Sequence, residues 1–153
     1  MRKDSRDKMM IQTKYFGKQE ITETDIVRFS SGIPGFVQNK QYVIQPFGEL
    51  FSVLQSVNEA HVAFIITSPF FYFKDYSVDL PDHFIDQLHI QSHEDVTVWV
   101  IVSVRQPFSQ STVNLRAPII INIKDRIGKQ YIPERSGYSL RTPINANLQE
   151  KKV

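Results

Sequence analysis

The sequence predicts an all-β protein, mainly antiparallel: a single small β-barrel-like or sandwich domain with one short helix near residues 80–90. Three observations predict it. Short runs rich in Val, Ile, Phe and Thr recur every 8–14 residues with turn residues between them. The stretch Val96–Val104, VTVWVIVSV, is nine uncharged residues. That is far short of the ~18 needed to cross a bilayer as a helix, so it reads as a central strand apolar on both faces, with Trp99 largely buried. Only one segment carries a helical pattern.

Residues 1–10, MRKDSRDKMM, are charged and aperiodic and read as a disordered tail. The β domain is expected over 11–140, with residues 141–153 as a frayed C-terminal tail. Strand signals follow in order: DIVRF (Asp25–Phe29), QYVIQ (Gln41–Gln45), LFSVLQ (Leu50–Gln55) and HVAFIIT (His61–Thr67). The helix candidate is LPDHFIDQLHI (Leu80–Ile90), with Asp79 as N-cap, Pro81 and Asp82 in the first turn, and Phe84, Ile85 and Leu88 on one face. After the central strand come TVNL (Thr112–Leu115) and IIINI (Ile119–Ile123). Gly128 then turns the chain into a hairpin partner at Gln130–Ile132.

The octet FSSGIPGF (Phe29–Phe36) holds two of the six glycines around a proline. A Gly-rich loop can cradle phosphate, and G-x-x-G clamps RNA backbone in KH domains. Here strands flank the octet on both sides, and no Lys-Ser/Thr pair completes a P-loop. Ile33-Pro34-Gly35-Phe36 is instead the pattern of a type II turn, with proline at fixed φ followed by glycine at positive φ. Phe29 and Phe36 are expected to pack on each other or into the core.

The 153 residues contain no cysteine, which excludes disulfides, thiolate chemistry and cysteine-held metals. No secretory h-region follows the charged start, so a cytoplasmic location is expected. His89 and His93 have i, i+4 spacing but lack the Glu of H-E-x-x-H. No G-x-S-x-G elbow is present. No catalytic constellation, metal site or cofactor is therefore expected, and the chain does not read as an enzyme.

Charge is sorted along the chain. From Glu49 to Asp95 eight acids face one base, Lys74, a net of −7; from Arg105 to Val153 nine bases face three acids, a net of +6. Such sorting suits an acidic side that meets a basic partner, unless the fold interleaves the segments. Two stretches stand out as recognition surfaces. SPFFYFKDY (Ser68–Tyr76) places Phe70, Phe71, Tyr72 and Phe73 in succession, which in a strand makes both faces aromatic. TVNLRAPIIIN (Thr112–Asn122) puts Asn114 and Asn122 into strongly β sequence, as an edge strand with satisfied amides or as a recognition edge.

Taken in order, TKYFG (Thr13–Gly17), FSSGIPGF, LQS (Leu54–Ser56), TVNLRAPIIIN and GKQYI (Gly128–Ile132) resemble the FliW family of bacterial flagellar assembly factors, over about residues 11–140. The resemblance implies a non-enzymatic β-barrel-like protein that switches partners. The family binds newly made flagellin in the cytoplasm. It also binds CsrA, the RNA-binding repressor of flagellin translation, which then releases its mRNA. It has no direct nucleic-acid or membrane partner. Within that frame, Asp82, Asp86, Glu94 and Asp95 are the candidate CsrA-facing carboxylates. Phe70, Phe71, Tyr72, Asn114 and Arg116 are the candidate flagellin-docking residues. The alternative is a β-barrel module for single-stranded nucleic acid, which needs aromatics in a basic groove. The aromatics of SPFFYFKDY lie in the acidic segment, which is the wrong sign.

Overall fold

The computed structural model describes residues 8–144. The strands are β1 (Lys8–Thr13), β2 (Gly17–Thr22), β3 (Val27–Arg28), β4 (Gln41–Phe47), β5 (Phe51–Ser56), β6 (Ala63–Thr67), β7 (Val96–Ser103), β8 (Thr112–Val113), β9 (Ile119–Asn122), β10 (Ile127–Gln130) and β11 (Thr142–Pro143). The helix, α1, spans Asp82–Gln87.

Pairing from β3 through β4, β5, β6, β7, β9 and β10 returns to β3, so seven strands close a barrel. Closure removes free sheet edges. Neighbours are antiparallel except β3–β10, where Ile127 pairs with Arg28 in parallel. Strand β7 is the hub. Its first half pairs with β9 (Val96↔Asn122 to Trp99↔Ile119), and its second half with β8 (Val102↔Val113), which carries β11 outward.

Alternation along the strands sorts side chains into two sets. Inward lie Val27, Phe29, Tyr42, Leu54, Ile66, Ile119 and Ile121, all buried in one cluster, with Ile44, Phe64, Trp99 and Ile101 packed against it. Outward, three patches are covered by other elements. The β1–β2 hairpin sets Ile11 and Ile21 over Val43. The 72–78 segment and Ile144 cover Val100, Val102 and Val113. Helix α1 lays Phe84 and Leu88 on Ile120. The central strand is apolar on both faces because both are covered.

Several expectations are corrected. Strand β1 begins at Lys8, inside the stretch expected to be tail, and β11 and the buried Ile144 lie in the stretch expected to fray; residues 1–7 and 145–153 fall outside the described residues. The hairpin escapes the strand pattern because its strands bury only Ile11, Thr13 and Ile21. Helix α1 is shorter than 80–90, and Pro81, not Asp79, is its N-cap. SPFFYFKDY is no strand: Pro69–Phe71 form a 3-10 turn opened by the proline. TVNLRAPIIIN supplies no edge, since β8 lies between β7 and β11 and β9 between β10 and β7. Trp99 is half-buried, with its indole N–H donating to Thr97 Oγ1 at 3.1 Å.

The octet FSSGIPGF is a turn. Phe36 N donates to Ile33 O at 2.6 Å, and Gly35 has φ +87. Phe29 and Phe36 do not touch as a pair; they are the ends of a ring series. Phe29 meets Tyr42 at 5.2 Å, Tyr42 meets Phe64 at 6.3 Å, and Phe64 meets Phe36 at 5.1 Å.

Candidate functional site: an apolar groove with an acidic rim

Between α1, the 70–80 segment and the start of β7 lies an open groove of about 540 Å³. Phe70, Val78, Leu80, Ile85, Ile90 and Val98 give it an apolar wall, and Ser92 and His93 close one side. It forms because α1 is too short to cover β7. Two buried residues, Phe84 and Leu88, dock the helix on Ile120, and Ile85 is left turned toward the gap. A volume of this size suits two or three large apolar side chains from a partner.

The walls are held by an amide. Asn122 is 1% exposed, and its Nδ2 donates to Leu88 O at 2.8 Å and His89 O at 3.2 Å. Its Oδ1 accepts from the backbone N–H groups of Lys124 (3.0 Å) and Asp125 (3.1 Å). His89, with φ +54, reverses the chain there. The side chain therefore satisfies the carbonyls at the end of α1 and fixes the helix to β9. The polarity of Asn122 within β sequence is thus a positioning device for the groove wall.

Three of the four candidate carboxylates are chain neighbours of groove-lining residues. Asp86 follows Ile85, and Glu94 and Asp95 lie between the lining residues His93 and Val96. Asp86 and Glu94 are exposed. Asp95 is half-buried, and its carbonyl accepts from Ile123 N at 2.8 Å, which anchors the 3-10 turn His93–Asp95 to the end of β9. Asp82 is exposed one turn earlier on α1, but its neighbours Pro81 and His83 line a separate cleft with Tyr131 and Arg135. Among the described residues none of the four forms an ion pair. Their charge is therefore available to an incoming group.

The aromatic candidates divide. Phe70 is 47% exposed, lines the groove and rests 5.8 Å from Tyr76. Phe71 is 50% exposed, does not line the groove and meets Tyr72 edge-on. Tyr72 is only 3% exposed, a core residue of the outer cluster rather than a surface anchor. Burial pushes its phenol upward in pKa, with a hydrogen bond to Thr67 opposing. The turn at Pro69 causes the split, because 3-10 geometry points successive rings in different directions.

Asn114 and Arg116 serve the fold. Asn114 Oδ1 accepts from the backbone N–H groups of Arg116 (3.1 Å) and Ala117 (3.0 Å), closing an Asx turn. The Arg116 guanidinium donates to Ser136 O at 3.4 Å and Glu134 O at 3.3 Å, holding the 134–138 loop. Arg116 lines a smaller cleft of about 230 Å³ with Tyr76 and Tyr138. Val78 lines both this cleft and the groove, so Phe70 and Arg116 lie on opposite sides of one segment. Sequence reasoning missed the aliphatic wall formed by Val78, Leu80, Ile85 and Ile90. Its signal was the aliphatic residues on both sides of Asp79 and just before Asp86.

The short motifs are structural ties. Gln55 of LQS accepts from Lys14 N of TKYFG at 2.9 Å and donates to Ala60 O at 3.0 Å. Ser56 donates to Asn39 Oδ1 at 2.6 Å, and Asn39 Nδ2 donates to Glu59 Oε1 at 2.9 Å. This buried network fastens the N-terminal hairpin and the 56–62 turn to the barrel.

Comparison with known proteins agrees with this architecture. The family described as FliW protein matches residues 9–144. The chain is 46% identical over 134 residues to the flagellar assembly factor FliW of Geobacillus thermodenitrificans, covering 87% of this chain and 93% of that protein. It is 45% identical over 138 residues to the protein of the same description from Bacillus subtilis, covering 89% and 96%. A crystal structure of the flagellar assembly factor FliW superposes with a TM-score of 0.87 at 44% identity, covering 89% of this chain and 96% of the other. Sequence, barrel and motifs together make this chain a member of the FliW family.

Proposed function

We propose that this chain is a flagellar assembly factor acting in the cytoplasm through protein binding, without catalysis. In this reading it binds flagellin and, when free of flagellin, binds CsrA and relieves repression of flagellin translation. Family membership and relatives described as flagellar assembly factors support the flagellar role. The observation that carries the binding mode is the groove, whose apolar wall contains Phe70 and whose lining residues Ile85, His93 and Val96 stand next in the chain to Asp86, Glu94 and Asp95.

The chemistry follows from charge. A protein that holds mRNA needs a basic surface. Carboxylates brought beside that surface attract it and repel the phosphates it would otherwise carry, over the ~8 Å reach of electrostatics at physiological salt. The apolar wall suits the amphipathic segment of an unassembled flagellin subunit. Both partners use one face in this reading, so occupancy by one excludes the other.

The test is a pair of titrations, of CsrA and of monomeric flagellin, against the chain and against Asp86→Lys/Glu94→Lys/Asp95→Lys. Charge reversal is expected to slow CsrA association and flatten its salt dependence. Unchanged affinity and salt slope would remove the groove from the CsrA site. Simultaneous binding of both partners would overturn the shared face.

A further inference from the structure

A second surface differs from the groove in both position and sign. Tyr15 stacks on Phe47 at 5.9 Å, and Phe16 meets Phe47 edge-on at 5.6 Å. Phe47 is the cross-strand partner of Phe51 where β4 turns into β5. Phe51 in turn meets Phe108, from the β7–β8 loop, at 5.7 Å. The rings thus form one continuous strip from the β1–β2 turn to the β7–β8 loop. Tyr15, Phe47, Leu50 and Phe108 are each 42–45% exposed. Together they present roughly 300 Å² of apolar surface, within the size range of the largest apolar patch on a typical monomer, which is often functional.

The strip is flanked by cations. Lys14 holds its Nζ 5.5 Å over the Tyr15 ring, Lys18 follows Gly17 in the same hairpin, and Arg105 opens the loop that presents Phe108. All three are exposed. Among the described residues none of the three is ion-paired. Glu49 sits in the turn between Phe47 and Phe51, at the middle of the strip. A polyanion laid along the rings would meet that carboxylate, whereas a protein segment can place its own acids at the ends. Leu50 and the 49%-exposed Val104 also suit side-chain packing better than base stacking.

We propose that this strip is a second docking surface, which takes an amphipathic protein segment with an apolar face and acidic flanks. It would operate independently of the groove, whose rim has the opposite charge and selects basic partners. A single barrel then discriminates two classes of segment by sign.

The probes are two fluorescein-labelled amphipathic helical peptides with the same Leu/Trp face, one with Glu and one with Lys at its ends, and a 20-nucleotide oligouridine. They are titrated against the full chain. The Glu peptide is expected to be released about thirtyfold more easily by Tyr15→Ser/Phe47→Ser/Phe108→Ser. Lys14→Glu/Arg105→Glu, which leaves the rings in place, is expected to weaken the Glu peptide about tenfold or more. Phe70→Ser in the groove should leave its affinity unchanged. Affinity that survives the charge reversal, or that falls with Phe70→Ser, overturns the proposal. So does preferential binding of oligouridine, or a monomer–dimer equilibrium in sedimentation that the strip variants abolish, which would make a second copy the occupant.

Discussion

The ring of Phe29 lies directly over Gly128: a Cβ on Gly128 would stand 2.7 Å from Phe29 Cζ. This glycine, within β10, is therefore required for packing, because Phe29 occupies the space above it inside the barrel. Gly128→Ala is expected to cost about 1–3 kcal/mol of stability through overpacking. Urea unfolding measures it, and Phe29→Leu in the same chain should recover part of the loss. Full additivity of the two changes would refute the contact.

The two glycines of FSSGIPGF separate backbone freedom from space. Both have positive φ, +68 at Gly32 and +87 at Gly35. A Cβ at Gly35 meets nothing within 4 Å, whereas at Gly32 it would stand 2.6 Å from Val37 Cα. Gly35→Ala should cost about 1–2 kcal/mol from left-handed backbone alone. Gly32→Ala should cost more, since backbone must move. Equal melting temperatures for the two variants would contradict this.

Asn122→Leu removes the donor that pins α1 to β9. It leaves two helix-end carbonyls without their partner, at about 1–3 kcal/mol. Hydrogen exchange should speed first in residues 84–90, and binding in the groove should weaken with it. A uniform loss of protection across the barrel would instead mark Asn122 as a general core residue.

Tyr42 supplies a pH signature. Its hydroxyl is buried and without a hydrogen-bond partner among the described residues, and burial first, then Glu59, pushes its pKa up to about 12. The neutral phenol is favoured in the fold. Its contribution is complete below the unfolded value near 10 and is lost as pH rises from 10 toward 12. Tyr76 shifts in the same direction, through burial and then Tyr138. Tyr42→Phe is expected to change stability little at pH 7 and to retain about 2 kcal/mol more than the parent at pH 12. Parallel pH–stability curves for the two would sink the assignment.

Phe70 and Tyr72 should respond oppositely to truncation. Phe70→Ala should cost about 2 kcal/mol or more in flagellin binding, about thirtyfold, with little change in melting temperature. Tyr72→Ala should cost about 3–5 kcal/mol of stability. Loss of flagellin affinity only in the destabilised variant would place the flagellin site away from Phe70.

All the strands of the barrel wall but one were legible in the sequence because each is covered on at least one face, so apolar spacing and β-branched residues mark them. VTVWVIVSV is the clearest case, covered on both. The exception is β10, expected at Gln130–Ile132 after a turn at Gly128, whereas Gly128 pairs with Ile121 inside the strand and the chain turns before it, where Arg126 N donates to Asn122 O. The β1–β2 hairpin was not legible, since a two-stranded flap that buries three side chains leaves no alternation to read. The acids were visible as a charge run, but not the clefts beside them: Pro81 and His83, around Asp82, line a different cleft from Ile85, His93 and Val96. Tyr72 was misplaced because a run of four aromatics says nothing of direction once Pro69 turns the chain. Asn114 and Asn122 were noticed as polar residues in β sequence; Asn114 closes a local turn, but the carbonyls that Asn122 and Arg116 satisfy come from segments distant in the chain.

The parallel pair that completes the ring also sets an order on events during synthesis. Arg126, beside that pair, donates to Asp25 O from 101 residues further along the sequence. Strands β3 to β6 are therefore outside the ribosome well before β10 exists. At about 5–20 residues per second, the nascent chain waits roughly 3–12 s between the end of β6 and the start of β10, with its first sheet open at both margins. Those margins can pair with any extended neighbour until the last hairpin arrives. The long-range registry that closes the circle makes folding slow relative to chains of local contacts. Its final step is then also the one that withdraws the molecule from aggregation.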